Sequence, residues 1–64
     1  MTYREKARFL HSRGAGRGAG EKQLIARVVQ CFDQNPDFVP DYNTKVLLDA
    51  VLAWYEKKHG RVVA

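Results

Sequence analysis

"EKQLIARVVQCFDQNP", residues 21–36, is the stretch whose reading decides the fold. At about 100° per residue, Leu24, Ile25, Val28, Val29, Cys31 and Phe32 fall on one face. Lys22, Gln23, Ala26, Arg27, Gln30, Asp33 and Gln34 fall on the other. This two-sided pattern predicts an amphipathic helix over about 21–34. Glu21 stands in its first turn, where the helix dipole favours an anion. Asn35 and Pro36 should end it, since Asn tolerates a left-handed terminal position and Pro has no N–H to continue the ladder.

Beyond it, "NPDFVPDYN" (35–43) repeats Pro-Asp-aromatic at a four-residue step. Prolines and aspartates make this a turn segment, with Phe38, Val39 and Tyr42 expected to fold back onto the core. A further helix is predicted over about 44–59, packed with the helix over 21–34 as a helical hairpin, with Asn43 or Asp41 as its N-cap and Gly60 as its terminator. Lys57, Lys58 and His59 complement its dipole. Its apolar residues cover roughly half the circumference, more than one neighbouring helix can bury. Either this helix is central in the bundle, or it also meets a partner. Leu48, Leu52 and Tyr55 are the candidate interface residues, whereas Val28, Phe32, Leu47, Val51 and Trp54 are expected to form a shared core.

Upstream, a weaker helix is predicted over about 2–12. Tyr3, Ala7 and Leu10 share one stripe, and Arg4, Arg8 and His11 share the next. The like-charged pair Arg4/Arg8 costs a few tenths of a kcal/mol in an isolated helix, a cost that an anion between the two would remove.

"HSRGAGRGAGEK" (11–22) links the first two helices. A dinucleotide fingerprint fails at its third glycine, and a phosphate-binding P-loop fails at its spacing. Four glycines within residues 14–20 predict instead a flexible joint over about 13–20. That joint carries Arg13 and Arg17, with Lys22 beyond it, and so can double as a basic arm.

The whole chain has 64 residues, enough for one helical domain over 1–64 with a short tail at 61–64. A core this small is marginal, so a partner or a second copy is an expected stabiliser. The single cysteine, Cys31, excludes an internal disulfide, and the two histidines with that cysteine lack zinc-site spacing. Asp33, Asp37, Asp41 and Asp49 lack the spacing of a calcium loop. No catalytic constellation is present, so the protein is expected to be no enzyme and to use no cofactor, metal or small-molecule substrate. Neither a membrane span nor a signal peptide is apparent, which with the lone thiol points to the cytoplasm.

Net charge is +4, unevenly spread. Arg4, Lys6, Arg8, Arg13 and Arg17 crowd the first twenty positions against Glu5 alone. The expected function is therefore non-enzymatic: an accessory or regulatory factor that binds nucleic acid through Arg4, Arg8, His11, Arg13, Arg17 and Lys22, without reading bases. The helix over 44–59 offers few donors for base edges, which speaks against a helix-turn-helix reader. The alternative is a protein-binding regulator or inhibitor, or a weak homodimer, docking through the apolar surface of the third helix.

Overall fold

The chain caps its first helix within five residues of its start. In the computed structural model, which describes residues 1–61, α1 (Tyr3–Ser12) opens on a capping box. The Thr2 hydroxyl accepts from the Glu5 N–H at 3.2 Å, and the Glu5 carboxylate accepts from the Thr2 N–H at 3.0 Å. The helices α2 (Ala19–Gln34) and α3 (Tyr42–His59) follow, and no strand occurs among the described residues. The fold is the small all-α three-helix domain the sequence predicts. Of the predicted tail, only Arg61 lies within the described residues.

The glycine stretch is built rather than open. Gly14 takes φ 62°, the left-handed conformation that closes a Schellman motif. Its N–H donates to the His11 carbonyl at 3.0 Å, and the Ala15 N–H donates to the Leu10 carbonyl at 2.9 Å. Leu10 and Ala15 are both buried, the apolar contact that accompanies this motif. The chain then turns into α2 through Glu21, whose carboxylate accepts from the Arg17 backbone N–H at 2.8 Å and from its guanidinium at 2.7 Å. That double hold lets α2 begin at Ala19, two residues before the predicted start at Glu21.

Asn35 ends α2 in extended backbone, φ −140°, not in the left-handed position its type allows. Its side chain accepts from the Asp37 N–H at 3.1 Å and its carbonyl from the Phe38 N–H at 3.0 Å, so the turn is held without positive φ. Asp41 is the N-cap of α3, accepting from the Thr44 N–H at 2.8 Å.

The helix between the other two is α1, not α3, so α2 and α3 each pack chiefly on α1 and not on one another as the expected hairpin. One edge of α1 meets α2, where Arg8 pairs with Asp33 at 2.6 Å. Its other edge meets α3, where Tyr3 and Lys6 bond Asp49 and Phe9 stacks edge-on against Tyr55 at 5.3 Å. Partner numbers rise together along α1 and α3, so these helices run in the same direction. Between α1 and α2 the order is reversed.

Ala7, Leu10, Ile25, Val28, Phe32, Leu48 and Val51 form the core, closed by Ala15 of the joint. Leu47 and Trp54, expected fully inside, are half-buried against it. Phe38 folds back as expected, edge-on to Phe32 at 5.0 Å. Val39 and Tyr42 do not: they are 71% and 78% exposed, because Pro40 takes the buried place beside them.

Candidate anion-binding pole

Antiparallel α1 and α2 with parallel α1 and α3 bring three termini to one end of the molecule. The C-terminus of α1, the N-terminus of α2 and the C-terminus of α3 lie there. Arg13 and Arg17 arrive from the joint, Lys22 from the first turn of α2, and Lys57, Lys58, His59 and Arg61 from the end of α3. Only Glu21 and Glu56 are acids at this end, and Glu21 is committed to Arg17. The opposite end holds Glu5, Asp33, Asp37, Asp41 and Asp49 against Arg4, Lys6, Arg8 and Lys45. The fold thus converts a sequence that alternates basic, acidic and basic into a molecule with a basic pole.

A ladder of rings and cations floors the pole. The Arg13 guanidinium lies over Phe9 at 5.2 Å, Phe9 meets Tyr55, and the Tyr55 ring lies 4.4 Å from that of His59. Lys58 sits over Trp54 at 5.0 Å. Cations parked on ring faces stay exposed and keep their donors turned to solvent. Lys22, also exposed, makes no side-chain hydrogen bond or ion pair among the described residues. Its stem packs against Gly16, where a Cβ would come within 2.6 Å of the Lys22 Cγ.

The six residues expected to act together separate into four groups. Arg13 and Lys22 are free at the pole. Arg17 is at the pole but bonded by Glu21, whose carboxyl is held below its ordinary range chiefly by the Arg17 guanidinium and then by the Arg17 N–H. Arg4 and Arg8 lie toward the other end of α1. The anion beside Arg8 is the chain's own Asp33, so their repulsion calls for no external ligand. His11 is exposed midway and lines an open groove with Gln23, Arg27 and Gln30 of α2.

Of the three expected interface residues of α3, Leu48 is corrected by the core. Leu48 has no exposed surface and cannot anchor a partner. Leu52 and Tyr55 are half-buried against the core on the α1 side. Among the described residues the large apolar side chains that are exposed stand elsewhere, at Met1, Leu24, Val39, Tyr42 and Val46.

Sequence reasoning missed Lys57, Lys58, His59 and Arg61 as site residues. Their charge was visible, but only the parallel course of α1 and α3 places them beside Arg13. Among the described residues, no three His, Cys, Asp or Glu side chains are grouped to hold a metal, and no helix is long and apolar enough to cross a membrane. No family model, no curated protein and no solved structure matches this chain.

Proposed function

We propose that this protein is a non-enzymatic accessory or regulatory factor that binds nucleic acid through its basic pole. The contacts are to phosphates, and no base is read. The observation that carries this reading is the convergence of Arg13 and Lys22 with Lys57, Lys58, His59 and Arg61 at one end of the bundle. Such a cluster gains affinity by releasing counterions from a polyanion. The proposed setting is the cytoplasm, where a lone thiol such as Cys31 stays reduced.

The test is a fluorescence titration with generic duplex and single-stranded oligonucleotides at low and moderate salt. Affinity should fall steeply with salt, and replacing Arg13 and Lys22 together by Ala should flatten the log–log slope for duplex by about two units. Absence of binding to either oligonucleotide at low salt overturns the reading. A second reading, a regulator that docks a protein through α3, is favoured by the apolar side chains left exposed on that helix at Tyr42 and Val46.

A further inference from the structure

The basic pole holds more rings than the binding of phosphate uses. Trp54, Tyr55 and His59 of α3 and Phe9 of α1 are interleaved there with Lys58 and Arg13. Trp54 is half-buried, so part of its indole reaches solvent, and the exposed Lys58 lies over the ring at 5.0 Å. His59 is exposed and ends the ladder that Phe9 and Tyr55 begin. Its ring lies 4.4 Å from that of Tyr55 at 32°, so Tyr55 backs one side of the imidazole and the other side is left to solvent. Phe9, itself half-buried, holds Tyr55 edge-on at 5.3 Å. Both outer rings are thus in place before a ligand arrives, and stacking on them orders little that is loose.

Rings beside cations distinguish two forms of polyanion. A duplex keeps its bases stacked on one another and presents phosphates, so it meets the cations alone. A single strand presents phosphates and unstacked bases together, and each base has a face that an aromatic ring can cover. Trp54 and His59 lie five residues apart on α3, about 7.5 Å in helical rise, with Lys58 between them in sequence. A phosphate that draws Lys58 off the indole uncovers the ring for the adjoining base. An exposed ammonium over a ring gains less than a base stacked on it, so the exchange favours the base.

We propose that the pole binds single-stranded nucleic acid in preference to duplex, with bases stacked on Trp54 and His59 and the phosphate between them on Lys58. This rests on the nucleic-acid reading of the pole and names the form of nucleic acid it takes. Stacking accepts every base, so no sequence is selected.

Trp54 is the chain's one tryptophan, so its emission reports the stack. The experiment titrates the full chain at moderate salt with oligo(dT), a length-matched duplex and inorganic polyphosphate. Trp54 emission is followed directly, and affinity by competition against a labelled oligonucleotide. Oligo(dT) should quench the emission and bind about tenfold more tightly than duplex. Polyphosphate, which has charge and no bases, should compete without quenching. Trp54→Leu keeps an apolar side chain against the core, and circular dichroism checks its helices; the wild-type quenching stands whether or not that variant folds. The variant should bind oligo(dT) about tenfold more weakly at an unchanged salt slope, since the slope counts phosphates. His59→Ala, at an exposed position, should weaken it about fivefold. Duplex bound as tightly as oligo(dT), oligo(dT) bound without quenching, or an unchanged affinity in either variant overturns the proposal and leaves the pole a site for charge alone. Failure of both oligonucleotides to bind at low salt overturns the nucleic-acid reading itself.

Discussion

Val51 has no exposed surface and sits where α3 faces the rest of the core. Val51→Ala removes two methyl groups and leaves a cavity that its neighbours fill only in part. The expected cost is about 1–3 kcal/mol, a large share of what so small a domain has. Urea denaturation measures it, with a lower midpoint at unchanged slope; a loss of a few tenths would place Val51 outside the core. Asp49 is the matching polar residue. Its carboxyl lies below the usual range, most of all through the 2.6 Å hydrogen bond from Lys6, with Tyr3 donating a second at 2.9 Å. Unfolding returns it to about 3.9. A folded pKa below the unfolded one contributes stability that is full above the unfolded value and is lost as pH falls through the folded value. Glu5, Glu21 and Asp41 are shifted in the same direction, so thermal midpoints should hold from neutral pH to about pH 5 and decline below about pH 4. Asp49→Asn should make that decline shallower, and an unchanged acid profile would remove Asp49 from the linkage.

The joint between α1 and α2 shows what local sequence does and does not reveal about an element. Its glycines are alike in composition and unlike in role. Gly14 holds φ 62°, so Gly14→Ala should cost about 1–2 kcal/mol although nothing crowds the new methyl. Gly20 lies inside α2 with open space around it, so Gly20→Ala should instead stabilise by about 0.5–1 kcal/mol. Opposite signs in two thermal melts check the pair. Hydrogen exchange supplies the other measure: the Gly14, Ala15 and Arg17 amides have bonded partners and should be protected, whereas a fluid joint would exchange them freely. The three helices were legible because 3.6-residue periodicity and end signals are local. Asp41 as cap and Gly60 as stop needed no tertiary knowledge. The capping box at Thr2 and Glu5 was equally local and offered the signal that the weak apolar stripe of α1 lacked. What the sequence could not show is which helix stands between the others. The excess apolar arc of α3 was visible, but its division into a core side at Leu48 and an outer side at Val46 depends on where α1 lies. The same ignorance hid the basic pole, since Arg13 and Lys58 are distant in the chain and become neighbours in charge only through the parallel course of two helices.

At the scale of the whole molecule, charge is sorted by topology and not by position in the chain. Three of the five cations in the first twenty residues are spent internally, Lys6 on Asp49, Arg8 on Asp33 and Arg17 on Glu21. Exposed ion pairs of this kind add little stability, but they remove those side chains from the surface available to a polyanion. The charges at the pole lie in the joint, the first turn of α2 and the end of α3 with Arg61 just past it. Arg4 lies nine residues before Arg13 on nearly the same helix, about 14 Å away along the axis. At physiological salt the Debye length is about 8 Å, so a phosphate held at the pole scarcely feels Arg4. The molecule's longest extent is 31 Å, which puts its acidic end out of range altogether. A consequence separates the basic pole from a merely basic N-terminus. Lys58→Ala, near the far end of the chain, should weaken oligonucleotide binding at moderate salt and reduce the duplex salt slope by about one unit. Arg4→Ala, in the densest basic stretch of the sequence, should leave both nearly unchanged. Titration of the labelled protein with a generic duplex, followed by amide chemical shifts, checks the location directly. Perturbed amides should gather at residues 13–22 and 57–61, while residues 35–45 stay still. Should the shifts gather around Arg4 and Asp33 instead, the ligand would be competing for the α1–α2 ion pair, and the binding surface would belong on the side of the bundle and not at its end.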